Sequence, residues 1–221
     1  MAGAWKHLPQ LHNLIVYVAG TTDQRATTLA GVAAATALTT LSVEIAAQAA
    51  APAAAAGLDQ GVVAMAACAS FSGLKRLRRL ELSSLYPGSA LVPGDALALA
   101  ALTGLTYLSI RLRESEGVGD AVATVLAQQL QNLHLLGLEH CGVHSVDCMA
   151  AIGRLVQLTE LRLEHNSGIT QQGLMQLTGL SNLRRLALSD SEHVTQQMVQ
   201  QCLAQAQPQH QRNFRCNNPG R

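Results

Sequence analysis

Apolar and polar residues alternate in a short pattern that recurs along most of the chain. Its clearest copy is Leu158-Thr-Glu-Leu161-Arg-Leu163-Glu-His-Asn166, an LxxLxLxxN run. Leu161 and Leu163 stand two apart, with Glu160, Arg162 and Glu164 at the alternate positions, which is the period of a half-buried strand. The LxxLxL core occurs seven times, at Leu11-Leu14-Val16, Leu38-Leu41-Val43, Leu77-Leu80-Leu82, Leu105-Leu108-Ile110, Leu133-Leu136-Leu138, Leu158-Leu161-Leu163 and Leu183-Leu186-Leu188. The first leucines lie 27, 39, 28, 28, 25 and 25 residues apart. A period of about 20–29 residues marks a stack of strand–loop–return units. One unit cannot bury its own apolar edge, so neighbours must stack.

After each strand the pattern changes to helical spacing. Gln171-Gln-Gly-Leu174-Met175-Gln-Leu177 follows Thr170, a residue suited to an N-cap. Thr195 before Gln196–Leu203 and Ser145 before Val146–Ile152 repeat the design, and Asp120 is expected to cap Ala121–Leu130. The 39-residue interval holds an Ala-rich insertion at about 46–57, placed on the return side, after which Gly57-Leu58 opens a helix through Val62, Val63, Met65 and Cys68. Tyr86-Pro87-Gly88, Pro93-Gly94 and Gly117-Val118-Gly119-Asp120 read as loops. Residues 1–204 thus form one repeat domain, and 205–221 a polar tail or a weak terminal repeat around Phe214 and Cys216.

Bulk properties narrow the function classes. A formal charge of +1 with no long basic run gives no nucleic-acid footprint. Five cysteines without framework spacing read as reduced and mostly buried, so the expected setting is cytoplasmic. The first residues show no secretory h-region. The uncharged stretch from Ala26 to Val43 is rich in Ala, Thr and Ser, too weakly apolar for a membrane span.

These repeats resemble the leucine-rich repeat superfamily, over about Leu8–Ala204, most closely its ribonuclease-inhibitor-like and cysteine-containing branches. The resemblance implies an α/β solenoid, a right-handed horseshoe with a concave parallel sheet of about seven strands and helices on the convex side. It also implies a ladder of Asn or Cys side chains three positions after the last strand leucine. That column reads Ala19, Ala46, Leu85, Arg113, Cys141, Asn166 and Ser191, so only the last three repeats keep a suitable group. The N-terminal half is expected to be the less regular one. Family members bind proteins on the concave sheet, and some are substrate receptors of ubiquitin ligases.

The residues expected on that concave face are Arg79, Glu81, Tyr107, Ser109, Arg111, Glu139, Glu160, Arg162, Glu164 and Arg185. Arg79, Tyr107 and Arg111 fall close together, and Arg and Tyr are common interface anchors. His140, His165 and Asp190 fall in one column beside Glu139 and Glu164, which suggests a pH-sensitive contact more than a metal site. Cys141-x-x-His144-x-x-x-Cys148 imitates half of a zinc site, but its two cysteines fall on different structural positions. No P-loop, GxSxG, dinucleotide fingerprint or HExxH occurs. The reading is a noncatalytic protein-interaction scaffold without cofactor or metal, acting as a monomer or as a subunit of a larger complex. A ubiquitin-ligase recognition part is its best named role. The alternatives are a GTPase-activating regulator using an exposed arginine such as Arg113 or Arg154, and a structural subunit of a large assembly.

Overall fold

The computed structural model describes residues 10–19, 22–45, 63–64, 68–87, 89–90, 93–113, 118–189, 194–195, 197–200 and 215–217. In chain order the elements are β1 (Asn13–Val18), α1 (Thr22–Val32), β2 (Thr40–Ile45), β3 (Val63–Ala64), β4 (Arg79–Pro87), β5 (Ser89–Ala90), α2 (Pro93–Ala100), β6 (Tyr107–Arg113), α3 (Gly119–Gln129), β7 (Leu135–Glu139), α4 (Val146–Ile152), β8 (Glu160–Arg162), α5 (Gln171–Met175), β9 (Arg185–Ser189) and β10 (Arg215–Asn217). A 3-10 helix at Cys68–Gly73 leads into β4.

The main sheet runs β1-β2-β4-β6-β7-β8-β9-β10, and each paired neighbour is parallel. All seven LxxLxL cores supply a strand. The eighth strand, Arg215–Asn217, pairs with Ala187–Ser189 and brings the weak C-terminal repeat into the sheet. Register matches the repeat alignment. Leu14, Leu41, Leu80, Leu108, Leu136, Leu161 and Leu186 form one continuous row of partners. These leucines are buried and join the helix side chains Leu29, Val32, Phe71, Leu99, Leu126, Met149, Ile152 and Leu174 in one core. Parallel strands about 4.8 Å apart therefore stack repeat on repeat, with helices on one face and the other face open.

The strands are also tied at their entry points. The amides of Thr39 and Thr40 both donate to the His12 carbonyl, those of Arg78 and Arg79 to Thr39, and those of Thr106 and Tyr107 to Arg78. His134 and Leu135 do the same to Thr106, Thr159 and Glu160 to His134, and Arg184 and Arg185 to Thr159. The hydroxyls of Thr39, Thr106 and Thr159 add a bond to the same carbonyls at 3.1, 3.1 and 2.9 Å. This ladder runs unbroken from β1 to β9, through the repeats expected to be least regular.

Three helix caps follow the sequence. Ser145 accepts from the Cys148 amide at 3.1 Å, Thr170 from Gly173 at 3.2 Å and Thr195 from Met198 at 3.4 Å. Asp120 is a correction. The N-cap of α3 is Val118, which makes no side-chain cap, and Gly119 at φ +67 turns the chain so that Asp120 enters the first helical turn. Its carboxylate reaches into the next repeat and accepts from the amides of His144 and Ser145, both at 2.9 Å. One helix reading and two loop readings change as well. Val63 is not helical but pairs, within β3, with Ser89 of β5. Tyr86 and Pro87 extend β4 past an irregularity in its pairing with β6. Pro93 opens α2, where a proline costs no helical hydrogen bond. The Ala-rich insertion 46–57 lies outside the described residues, as do Asp190 and Ser191. Among the described residues no helix is long and apolar enough to cross a membrane.

Candidate functional site on the open face of the sheet

Three rows of alternate strand residues build the open face. The first runs Asn13, Thr40, Arg79, Tyr107, Leu135, Glu160, Arg185. The second runs Ile15, Ser42, Glu81, Ser109, Gly137, Arg162, Ala187. The third places Tyr17 beside Glu44, Ser83, Arg111 and Glu139. Period-two alternation leaves these side chains no other side to take, because a one-residue slip would bury the arginines.

The charged groups on this face are organised in pairs. Arg79 bonds Glu81 two residues along its own strand and lays its guanidinium 3.6 Å from the Tyr107 ring centroid on the next. Arg111 grips Glu139 with two hydrogen bonds, 2.7 and 3.0 Å, across the β6–β7 step. Glu160 bonds Arg162 on its own strand at 2.6 Å and Arg185 of β9 at 3.3 Å. The expected Arg79–Tyr107–Arg111 group is therefore divided: Arg79 and Tyr107 stack, while Arg111 pairs one strand further on. Glu164 lies just beyond β8 and is partly exposed.

These contacts shift proton affinities in consistent directions. Burial raises the Tyr107 phenol above its usual range, and the charge and hydrogen bond of Glu81 add to this against the opposing charges of Arg79 and Arg162. The Glu139 hydrogen bond raises Arg111. Burial alone would lower Arg162, but the Glu160 bond and charge outweigh it and leave it raised. All three groups are thus held in their neutral-pH forms.

Ser109 and Gly137 form a low floor between the charged groups. A Cβ on Gly137 would sit 3.1 Å from the Ser109 hydroxyl, so the pair is close and small. Leu135 is buried although it stands in an open-face row, as is Glu139. Sequence alternation alone misses both. A signal was present in reading rows across repeats, where Arg111 falls opposite Glu139.

At the edge of this face the strands leave through a turn column. His140 and His165 both take positive φ, 55 and 61, and their rings stack with centroids 4.0 Å apart and 7° between planes. Behind them lies the turn ladder. Asn166 is buried, accepts from the amides of Cys141 and Val143 at 3.0 and 3.1 Å, and donates to the carbonyls of Leu138 and Leu163 at 2.7 and 2.9 Å. The Cys141 thiol continues the ladder, donating to the Ile110 and Glu139 carbonyls at 3.5 and 3.3 Å. Burial pushes this thiol far up and that of Cys148 to about 12, so neither supplies a thiolate near neutral pH. Among the described residues no group of three or more His, Cys, Asp or Glu is placed to hold a metal ion.

The fold is leucine-rich-repeat-like. Seven repeat cores in register, a parallel sheet with helices on one face and an Asn–Cys turn ladder carry that statement. No family model matches the chain, and no curated protein matches its sequence. Among solved structures it is similar to a leucine-rich-repeat protein of Leptospira interrogans, at 15% identity and a TM-score of 0.35. That alignment covers 98% of this chain and 62% of the other, so this chain spans less than two thirds of that protein's length.

Proposed function

We propose that the chain is a noncatalytic binding scaffold that holds a protein partner on the open face of its sheet. The observation that carries this reading is a solvent-facing surface whose charged groups are already fixed in place. Arg111 is clamped by Glu139, Arg185 and Arg162 by Glu160, and Arg79 by Glu81 and Tyr107. Side chains ordered before binding lose little entropy on binding, where each free long side chain costs about 0.5–1.5 kcal/mol. Cys68, Cys141 and Cys148 are buried, and burial raises the Cys141 and Cys148 thiols, which argues against a nucleophile at those positions. A place in a ubiquitin ligase would be a specialisation of this scaffold.

Ser109→Trp tests the reading. Gly137 has no side chain, so the indole has room above the sheet and fills the floor of the face. Capture from native extract is expected to yield a protein partner with the wild-type chain and to lose it with this variant, while both melt cooperatively. Retention of the same partner by the variant would show that another surface binds it.

A further inference from the structure

The open face carries both signs of charge, but they do not lie at the same depth. In each ion pair the arginine is the more exposed member. Side-chain exposure is 45% for Arg79 against 35% for Glu81, 59% for Arg111 against 7% for Glu139, and 63% for Arg185 against 15% for Glu160. Arg162 follows the same order, 28% against the same 15%. Glu139 and Glu160 lie low at the sheet, Glu81 is partly exposed, and Arg79, Arg111 and Arg185 stand outermost.

The pairing leaves those guanidiniums with donors to spare. Arg111 gives Glu139 its Nε and Nη2, so Nη1 has no part in that clamp. Arg185 uses one Nη1 contact to Glu160 at 3.3 Å, a longer bond than the others. A guanidinium offers five N–H groups in a planar fork that matches a carboxylate. Arg79 and Arg185 occupy the same row on β4 and β9, four strand steps apart, or about 19 Å at 4.8 Å per step. Tyr107, Leu135 and Glu160 lie between them in that row, Glu160 low at the sheet and bonded to Arg162 and Arg185. An extended chain rises about 3.3 Å per residue, so a segment crossing the strands spans this row with roughly six residues.

We propose that the partner's contacting element is an acidic, extended peptide segment. Its carboxylates would meet Arg79, Arg111 and Arg185, and an apolar residue between them would lie near Tyr107. This inference rests on the open face being the binding surface and adds the chemical class of its occupant. Charge complementarity decides for carboxylates over a basic segment, because a lysine would meet the outer arginines Arg79, Arg111 and Arg185 before reaching Glu139 or Glu160.

The test is fluorescence polarisation with the full chain at low ionic strength, using labelled twelve-residue peptides. One carries glutamates spaced by apolar residues, and a second replaces each glutamate by lysine. A phosphoserine peptide and a single-stranded oligonucleotide complete the set. The glutamate peptide is expected to bind more tightly than all three others and to weaken as salt rises. Arg79→Gln and Arg185→Gln are each expected to weaken it by about threefold to tenfold. Lys75→Gln with Arg76→Gln removes two exposed charges from the turn before β4 and is expected to leave binding unchanged. Preferred binding of the lysine peptide, the phosphopeptide or the oligonucleotide overturns the proposal. So does an equal loss in the Lys75/Arg76 variant, or no binding by any peptide. If the peptides fail while Ser109→Trp still abolishes partner capture, the open face stands as the binding surface and only its acidic occupant is wrong.

Discussion

At the scale of single residues, Asn166 ties together the turns of two repeats. Its carboxamide satisfies two buried amides and two buried carbonyls at once. Asn166→Ala strands these groups without water, and unsatisfied buried polar groups cost about 1–3 kcal/mol each. A loss of about 2–4 kcal/mol in urea unfolding is therefore expected, and a loss below half a kcal/mol would mean that water replaces the ladder. The Cys148 thiol makes a pH prediction. Its folded pKa is raised from 9.0 to about 12 by burial. A group with a raised folded pKa stabilises fully below its unfolded value and loses that contribution as pH climbs through the folded one. Stability should therefore hold below pH 9.0 and fall toward pH 12, and Cys148→Ala should reduce that fall. An unchanged alkaline slope in the variant would rule out this thiol as a source. The Asn166 ladder was legible from one LxxLxLxxN match. The αL turns of His140 and His165 were not, because positive φ in a non-glycine residue is imposed by the turn that follows the strand.

At the scale of elements, the repeats are joined by contacts that local sequence rules misplace. Asp120 follows the helix-start signal, and local reading makes it the cap of its own helix. The fold instead spends its carboxylate on the loop that opens α4, beside the Ser145 cap. Asp120→Ala and Ser145→Ala are each expected to cost about 1 kcal/mol. Because both support the same few residues, the double variant should depart from additivity by at least about 0.5 kcal/mol. Strict additivity in thermal or urea unfolding would show that the two repeats are not coupled through this loop. Strand positions, register and three of the caps were readable because alternation and hydroxyl capping are local effects. The strand pair Val63–Ala64 with Ser89–Ala90 was not, since its partners lie in different repeats and neither carries a strand-length pattern. The sequence's best consensus match also produced one of the shortest strands, Glu160–Arg162.

At the scale of the whole molecule, stacking turns a repeated line of sequence into two surfaces of opposite character. One is covered by helices around a continuous leucine core. The other carries arginines outward over buried or half-buried carboxylates, with Ser109 and Gly137 as its floor. Which residues face outward was legible from the period of two. Their depth was not, because burial of Glu139 and Leu135 depends on neighbours from other strands. The most direct measurement is titration calorimetry of a captured partner against three chains: wild type, Ser109→Trp on the open face, and Val156→Glu at an exposed position outside the strands. Affinity should fall at least tenfold for Ser109→Trp and stay within about twofold for Val156→Glu, since distant rim or surface changes cost little. The reverse order, with the open-face variant binding normally and Val156→Glu failing, would contradict the assignment of the open sheet as the binding surface.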